Sequence, residues 1–337
     1  VTTDTRDVTE PDYWKSRGLE PPGQVYTPDS IRALRRRIAG PSESSRPIVI
    51  VGTGSHLRPS AVTAEPFDVV VTRGCARVQS IDSTSGTVTV EAGICWGELR
   101  HRLRDEGLQF APNGLYPADS TVGGLLASAG VSGLGPDVAA MTACTASGRD
   151  YSYAEAPRKA AGPDMRYLFI GCEGAFGVIL TVTLALGPRP DARLWRFSGD
   201  ALESEDLGGV QLIDRLADHD IRAAWSWFDE SEGVWDVAVH GPEAVLERWA
   251  ARAGEVVSPE LDLEVRGAEA CRERRDVIEA EQLPAEAAEK RGRSTQSGQP
   301  EWLRHIKNTL DDSGVLAVGP GAEVPKPDSQ RNSGGDS

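Results

Sequence analysis

Short β-branched runs, glycine turns and amphipathic stretches follow one another along the first half of the chain. Pro47-Ile48-Val49-Ile50-Val51 is apolar throughout and stops at Gly52-Thr53-Gly54-Ser55-His56, which predicts a buried strand and then a tight loop. Ahead of it, VYTPDSIRALRRRIAG predicts a short strand, a capped turn and a helix, after a polar leader. Phe67 to Arg73 predicts a second strand. A hairpin follows, turning at Ser85-Gly86 and alternating from Thr87 to Val90. Trp96, Leu99 and Leu103 then recur at helical spacing, with Gly107 placed to end the helix. The longest β-rich run is Val178 to Leu186, and Pro188-Arg189-Pro190 after it reads as a domain boundary.

Beyond that boundary the order becomes strand (Leu194 to Phe197), helix (Val210 to Ala217), strand (Ala223 to Phe228), strand (Val234 to Val239) and helix (Glu243 to Ala253). Such an order predicts a small α+β cap. Residues 267 to 291, rich in Glu, Arg and Ala, read as a solvated helix, GRSTQSGQP as a linker and EWLRHIKNTL as a further helix. The polar stretch from Pro325 to Ser337 reads as disordered.

A hydrophobic content of 39% suffices for packed cores. The net charge of -15 argues against nucleic acid, whose phosphates require clustered cations. Arg35-Arg36-Arg37 falls within a helix and reads as its solvated face. Five scattered cysteines, odd in number and without CxxC spacing, indicate neither a disulfide framework nor a metal site. No run has the length of a membrane span and the first residues do not read as a signal peptide, so the expected location is the cytoplasm, with attachment to a membrane through partner subunits as the alternative.

Three glycine-bearing segments carry the candidate chemistry. Gly52-Thr53-Gly54-Ser55 lacks the third glycine of a Rossmann fingerprint, but its backbone amides suit an anion nest. A plain strand-end turn explains it equally well. Ser120-Thr121-Val122-Gly123-Gly124 and on to Gly130 reads as a capped helix start that presents unpaired N–H groups to phosphate, or else as tight helix packing. Gly171-Cys172-Glu173-Gly174-Ala175-Phe176-Gly177 clusters glycines just before a strand, which suggests close approach of backbone to a large, flat group.

In order, VYTPDSIRAL, IVIVGTGS, VTVEAGICWGELRHRLRDEG, TVGGLLASAG and GCEGAFGVILTVTLALGPRP resemble the motifs of the FAD-binding PCMH-type (vanillyl-alcohol-oxidase, FAD-linked oxidase) family. LRHIKNTLDDSGVLAVGPG resembles that family's closing segment, and APRKAAGPDMRYLF points to the branch that includes the FAD-binding subunit of glycolate oxidase. The resemblance implies an α+β fold: a two-subdomain FAD-binding domain over residues 1–190, a small α+β cap over 191–300, a segment returning to the FAD domain over 301–320 and a disordered tail over 321–337. It implies FAD as cofactor, with Gly52, Thr53, Gly54 and Ser55 on the pyrophosphate. Thr121, Gly123, Gly124 and Gly130 would line the dinucleotide, Pro117 and Ser120 would lie towards the flavin, and Glu173, Gly174, Gly177 and Ile179 towards the adenine half. Ser55 stands where many relatives carry the histidine that attaches the flavin, and His56 comes one place later.

Flavin-dependent oxidation of an alcohol needs a group to take the hydroxyl proton, and His56, His101, His219, His240 and His305 are the histidines available. None is singled out by the sequence. The resemblance implies an FAD-linked oxidoreductase, or its flavin subunit, acting on a small 2-hydroxy acid such as glycolate or lactate. Two alternatives stand beside it: a non-catalytic flavin-carrying subunit working with flavoprotein and iron–sulfur partners, and UDP-N-acetylenolpyruvoylglucosamine reductase.

Overall fold

Both faces of the run around Val49 are apolar, so the strand it forms must be covered on both sides. In the computed structural model, which describes residues 7–40, 46–55, 57, 62, 66–110, 116–129, 134–153, 165–188, 192–199, 216–217, 221, 223–229, 231–256 and 262–279, it lies between two cores. Helix α1 (Pro11–Lys15) is followed by β1 (Val25–Tyr26), α2 (Ile31–Ala39), β2 (Ile48–Val51) and β3 (Asp68–Val71). The three strands form a parallel sheet in the order β1-β3-β2. Val49 and Val51 pack with Tyr13 and Trp14 of α1, whereas Ile48 packs with Leu34 and Ile38 of α2. Ser30 starts α2 by accepting a hydrogen bond from the Ala33 amide.

The hairpin β4 (Val78–Asp82) and β5 (Thr87–Glu91) leads to α3 (Trp96–Asp105), the short β6 (Leu108–Gln109) and α4 (Val122–Ala129). Strands β7 (Val138–Cys144), β8 (Asp150–Tyr153) and β9 (Val178–Ala185) complete an antiparallel sheet ordered β4-β5-β9-β7-β8. Alternation along β9 sends Ile179 to the core under α3 and α4, while Val178 and Leu180 meet α2 and the parallel sheet. The two sheets thus share a core, and the loops leaving β2 and entering β9 meet above it.

After β10 (Gly187–Pro188), which pairs with β6, a separate antiparallel sheet is built from β11 (Ala192–Ser198), β12 (Ala223–Asp229) and β13 (Val234–His240). Helix α5 (Glu243–Val256), strand β14 (Asp262–Arg266) and helix α6 (Ala268–Val277) follow. Strand order is β12-β13-β11-β14. Trp195 and Phe197 face α5, whereas Ala192 and Leu194 face Cys271 of α6. Strand β14 was not anticipated, because DLEVR carries charge at three of its five positions and pairs at a sheet edge. The expected helix at Val210 to Ala217, the linker, the returning segment and the tail lie outside the described residues, apart from Leu216 and Ala217.

Two expectations need correction. Arg37 is not solvated: its guanidinium lies 3.7 Å from the Tyr26 ring centroid and 3.7 Å from the fully buried carboxylate of Asp68. Nor is the Glu/Arg-rich helix wholly solvated, since Cys271, Ile278 and Glu279 are buried. Charge-rich composition hid an apolar stripe and a clamp. Arg100 of α3 pairs with Glu279 and Asp276, Arg104 pairs with Asp276, and Glu279 also accepts from Arg275 and from the Tyr116 amide. Removing one partner strands the others' charge in a poorly hydrated place. Arg100→Met should therefore lower unfolding stability by about 3 kcal/mol, measured by urea denaturation, whereas exposed Arg102→Met should change it by under about 1 kcal/mol.

Candidate functional site: a glycine-lined cleft

The loop after β2, the start of α4 and the turn before β9 border one cleft of about 780 Å³, counting space open to solvent. That is a size typical of cofactor and ligand sites. Gly52, Thr53, Gly54 and Ser55 form one wall; Thr121, Gly123 and Gly124 form the second. Glu173, Gly174, Gly177 and Ile179 form the third. Gly130 lies outside the described residues, and Pro117 is buried away from the cleft lining.

Two of these glycines are required by the protein's own packing. A Cβ on Gly52 would sit 2.1 Å from Thr121 Oγ1, and one on Gly123 would sit 3.0 Å from the Ala92 carbonyl oxygen. Gly174 is different: its φ is +85°, and the nearest atom to a Cβ there would be Ile50 Cβ, at 3.7 Å. It needs glycine for its backbone and leaves the cleft open. Beside it, Glu173 is the one non-glycine at positive φ among the described residues, at 53°. Its amide donates to the Ala127 carbonyl across the cleft base, at 3.0 Å, which helps hold this costly conformation.

Hydroxyl groups tie the first loop to the second. Ser55 Oγ lies 2.7 Å from Ser120 Oγ and 3.3 Å from Thr53 Oγ1, and Ser120 is fully buried. Ser120 thus reaches the site through Ser55 rather than by lining it.

The amides correct one expectation. Those of Val122 and Gly123 donate to the Ile94 and Ala92 carbonyls at 2.9 and 2.7 Å, and that of Gly124 donates to Thr121 Oγ1 at 3.1 Å. The first turn of α4 is therefore already satisfied and does not present unpaired donors. Among the described residues, the amides of Gly52, Thr53 and Gly54 have no such partner. Glu173 is the only charged residue lining the cleft among those described, so an anion held there must rely on amides and hydroxyls rather than on Lys or Arg. These donors and the open face at Gly174 fit a dinucleotide diphosphate.

Sequence reasoning missed the support beneath the first loop. What read as a polar leader contains α1, whose buried Tyr13 donates its hydroxyl hydrogen bond to the Gly54 carbonyl at 2.8 Å. The Tyr13-Trp14 pair after Pro11 was the available signal. The remaining candidates lie elsewhere: His101 is exposed on α3, His240 borders a different cavity, and His56, His219 and His305 lie outside the described residues. No group of three or more potential metal ligands occurs among the described residues.

Residues 22–149 match the family described as FAD binding domain. Bovine L-gulonolactone oxidase is 28% identical over 224 residues, covering 63% of this chain and 47% of that protein. The Bacillus subtilis glycolate oxidase subunit GlcD is 26% identical over 226 residues, covering 62% of this chain and 46% of its own length. The Saccharomyces cerevisiae mitochondrial D-lactate dehydrogenase (cytochrome) 1 is 26% identical over 164 residues, covering 44% and 27% respectively. This chain spans just under half the length of the first two. A solved structure of alkyldihydroxyacetonephosphate synthase superposes with a TM-score of 0.58 at 16% identity, over 80% of this chain and 57% of that one, which establishes likeness of fold.

The loop support is open to a pH test. Burial pushes the Tyr13 phenol up to about 12 from 10.0. A raised pKa means that the fold favours the neutral phenol, so its contribution is complete below about pH 10 and is lost as the pH rises towards 12. Tyr13→Phe should cost about 1 kcal/mol at neutral pH. Denaturant titrations of both proteins should show that gap shrinking between pH 10 and 12.

Proposed function

We propose, from the premise that this chain carries an FAD-binding domain of the FAD-linked oxidase family at residues 22–149, that it is an FAD-dependent oxidoreductase acting on a small 2-hydroxy acid. The observation that carries the cofactor's placement is the convergence of three glycine-bearing segments on one cleft, with amides at Gly52, Thr53 and Gly54 that have no partner among the described residues. Those amides and the Ser55 hydroxyl would hold the diphosphate. Gly124 and Gly174 would let the dinucleotide lie against backbone, with Glu173 and Ile179 towards its adenine half. Bound FAD supplies a two-electron acceptor, and the protein's part is to orient it, exclude water and provide a proton acceptor. Support for the substrate class comes from relatives named for glycolate and D-lactate.

One observation favours a second reading, a flavin-carrying subunit that depends on partners. The described residues of the cleft include no histidine, lysine or arginine to accept the substrate's proton or hold its carboxylate. One matching relative is itself named as a subunit. Among the described residues no helix is long and apolar enough to cross a membrane.

The test is the visible spectrum of the purified protein before and after acid precipitation, followed by anaerobic addition of glycolate or D-lactate. The leading reading predicts a flavin spectrum that is bleached by a hydroxy acid. Bleaching only after a partner subunit is added selects the second reading; a colourless protein that refuses added FAD defeats both. Gly174→Val, which combines an unfavourable φ with a side chain aimed at the cleft, should weaken FAD binding at least about tenfold, read as the midpoint of a flavin titration.

A further inference from the structure

Where α3 and β6 meet the second sheet, a cavity separate from the glycine-lined cleft gathers five nitrogen-rich side chains: Arg100, Arg104, Arg272, Arg275 and His240. Such clustering is unusual in a chain whose net charge is -15. Asp276 and Glu279 pair with Arg100, Arg104 and Arg275 from behind, yet neither carboxylate lines the cavity. Among the described residues, four guanidiniums stand against two carboxylates, an excess of two positive charges. Arg272 has no ion pair or hydrogen bond among the described residues.

Two further groups lack partners there. His240 has both ring nitrogens buried with no hydrogen bond, and burial together with the neighbouring Arg275 holds its pKa down at about 4. It therefore stands as a neutral imidazole with one donor and one acceptor to offer. Trp96, also on the wall, is 1% exposed, and its indole N–H has no partner. Buried polar atoms without partners are rare in folded proteins and call for an occupant. The other wall is apolar, built from Leu103 and from Phe110 stacked on Trp96 with ring centroids 4.7 Å apart.

We propose that this cavity is a second binding site, for a small organic carboxylate with a flat or apolar body. Guanidinium groups recognise a carboxylate through paired N–H donors, the imidazole and indole satisfy its remaining polar atoms, and the Trp96–Phe110 wall takes its carbon skeleton. A ligand here touches α3 and β6 on one side and β11, β13 and α6 on the other, so it binds the two parts of the molecule to each other. The site stands whether or not the FAD cleft is filled.

Benzoate is a suitable probe, with benzyl alcohol as its uncharged counterpart and sulfate as an anion without an apolar body. In the full-length protein, benzoate should raise the melting temperature saturably and change tryptophan fluorescence, and the other two should do neither. Arg272→Gln removes an unpaired cation from the rim and should weaken the benzoate response about tenfold or more. His240→Leu should weaken it as well. The proposal is overturned if benzoate gives no saturable response, if sulfate or benzyl alcohol matches it, or if Arg272→Gln responds like the unaltered protein.

Discussion

The structure depends on the close approach of Gly52 to Thr121. No side chain larger than hydrogen fits at position 52, because its first carbon would overlap the threonine hydroxyl. That contact draws the end of the parallel sheet against the start of α4. The Ser55–Ser120 hydroxyl pair continues the seam, and Tyr13 braces it from below. Once the two loops are fixed at this spacing, the turn at Gly174 closes the third side and the cleft is defined by backbone. The diphosphate site proposed for this cleft, made from amides, would cost the fold no buried cation, which matters in a protein whose buried charges are already committed elsewhere.

Those commitments lie mainly at the junction with the second sheet. Arg100 and Glu279 are separated by 179 positions in the chain, and their pairing joins α3 to the end of α6. The same junction leaves a basic cavity between the parts. One helix, α3, therefore holds the Ser120 carbonyl through its Trp96 amide and contributes its arginines to the clamp. That helix thus touches both the loop behind the glycine-lined cleft and the charged clamp at the second sheet.

Much of this was legible in the sequence where local pattern and tertiary environment agree. The apolar run ending at Gly52, the hairpin turning at Gly86 and the Trp96–Leu103 stripe each have one low-energy solution, and the structure adopts it. The motif order anticipated the match to the FAD binding domain over residues 22–149 and the likeness of fold for the same reason, since glycine spacing records backbone geometry directly. The failures have physical causes too. Strand β14 is an edge strand with a charged sequence, and α6 hides Cys271 and Ile278 among residues that are soluble on their other face. The role of Tyr13 depends on a contact 41 positions away, which no local pattern encodes. For α4, a glycine-rich helix start looked like a phosphate site, whereas carbonyls from the turn before α3 and the Thr121 hydroxyl had already taken its first amides.

In the function proposed above, the anion-binding donors of the cleft are the backbone amides after β2 and not the start of α4. A crystal structure of the protein with FAD tests this most directly. The diphosphate oxygens should lie within hydrogen-bonding distance of the Gly52, Thr53 and Gly54 amides, with the dinucleotide running past Gly174. A diphosphate seated on the α4 amides, or FAD bound outside this cleft, would contradict it.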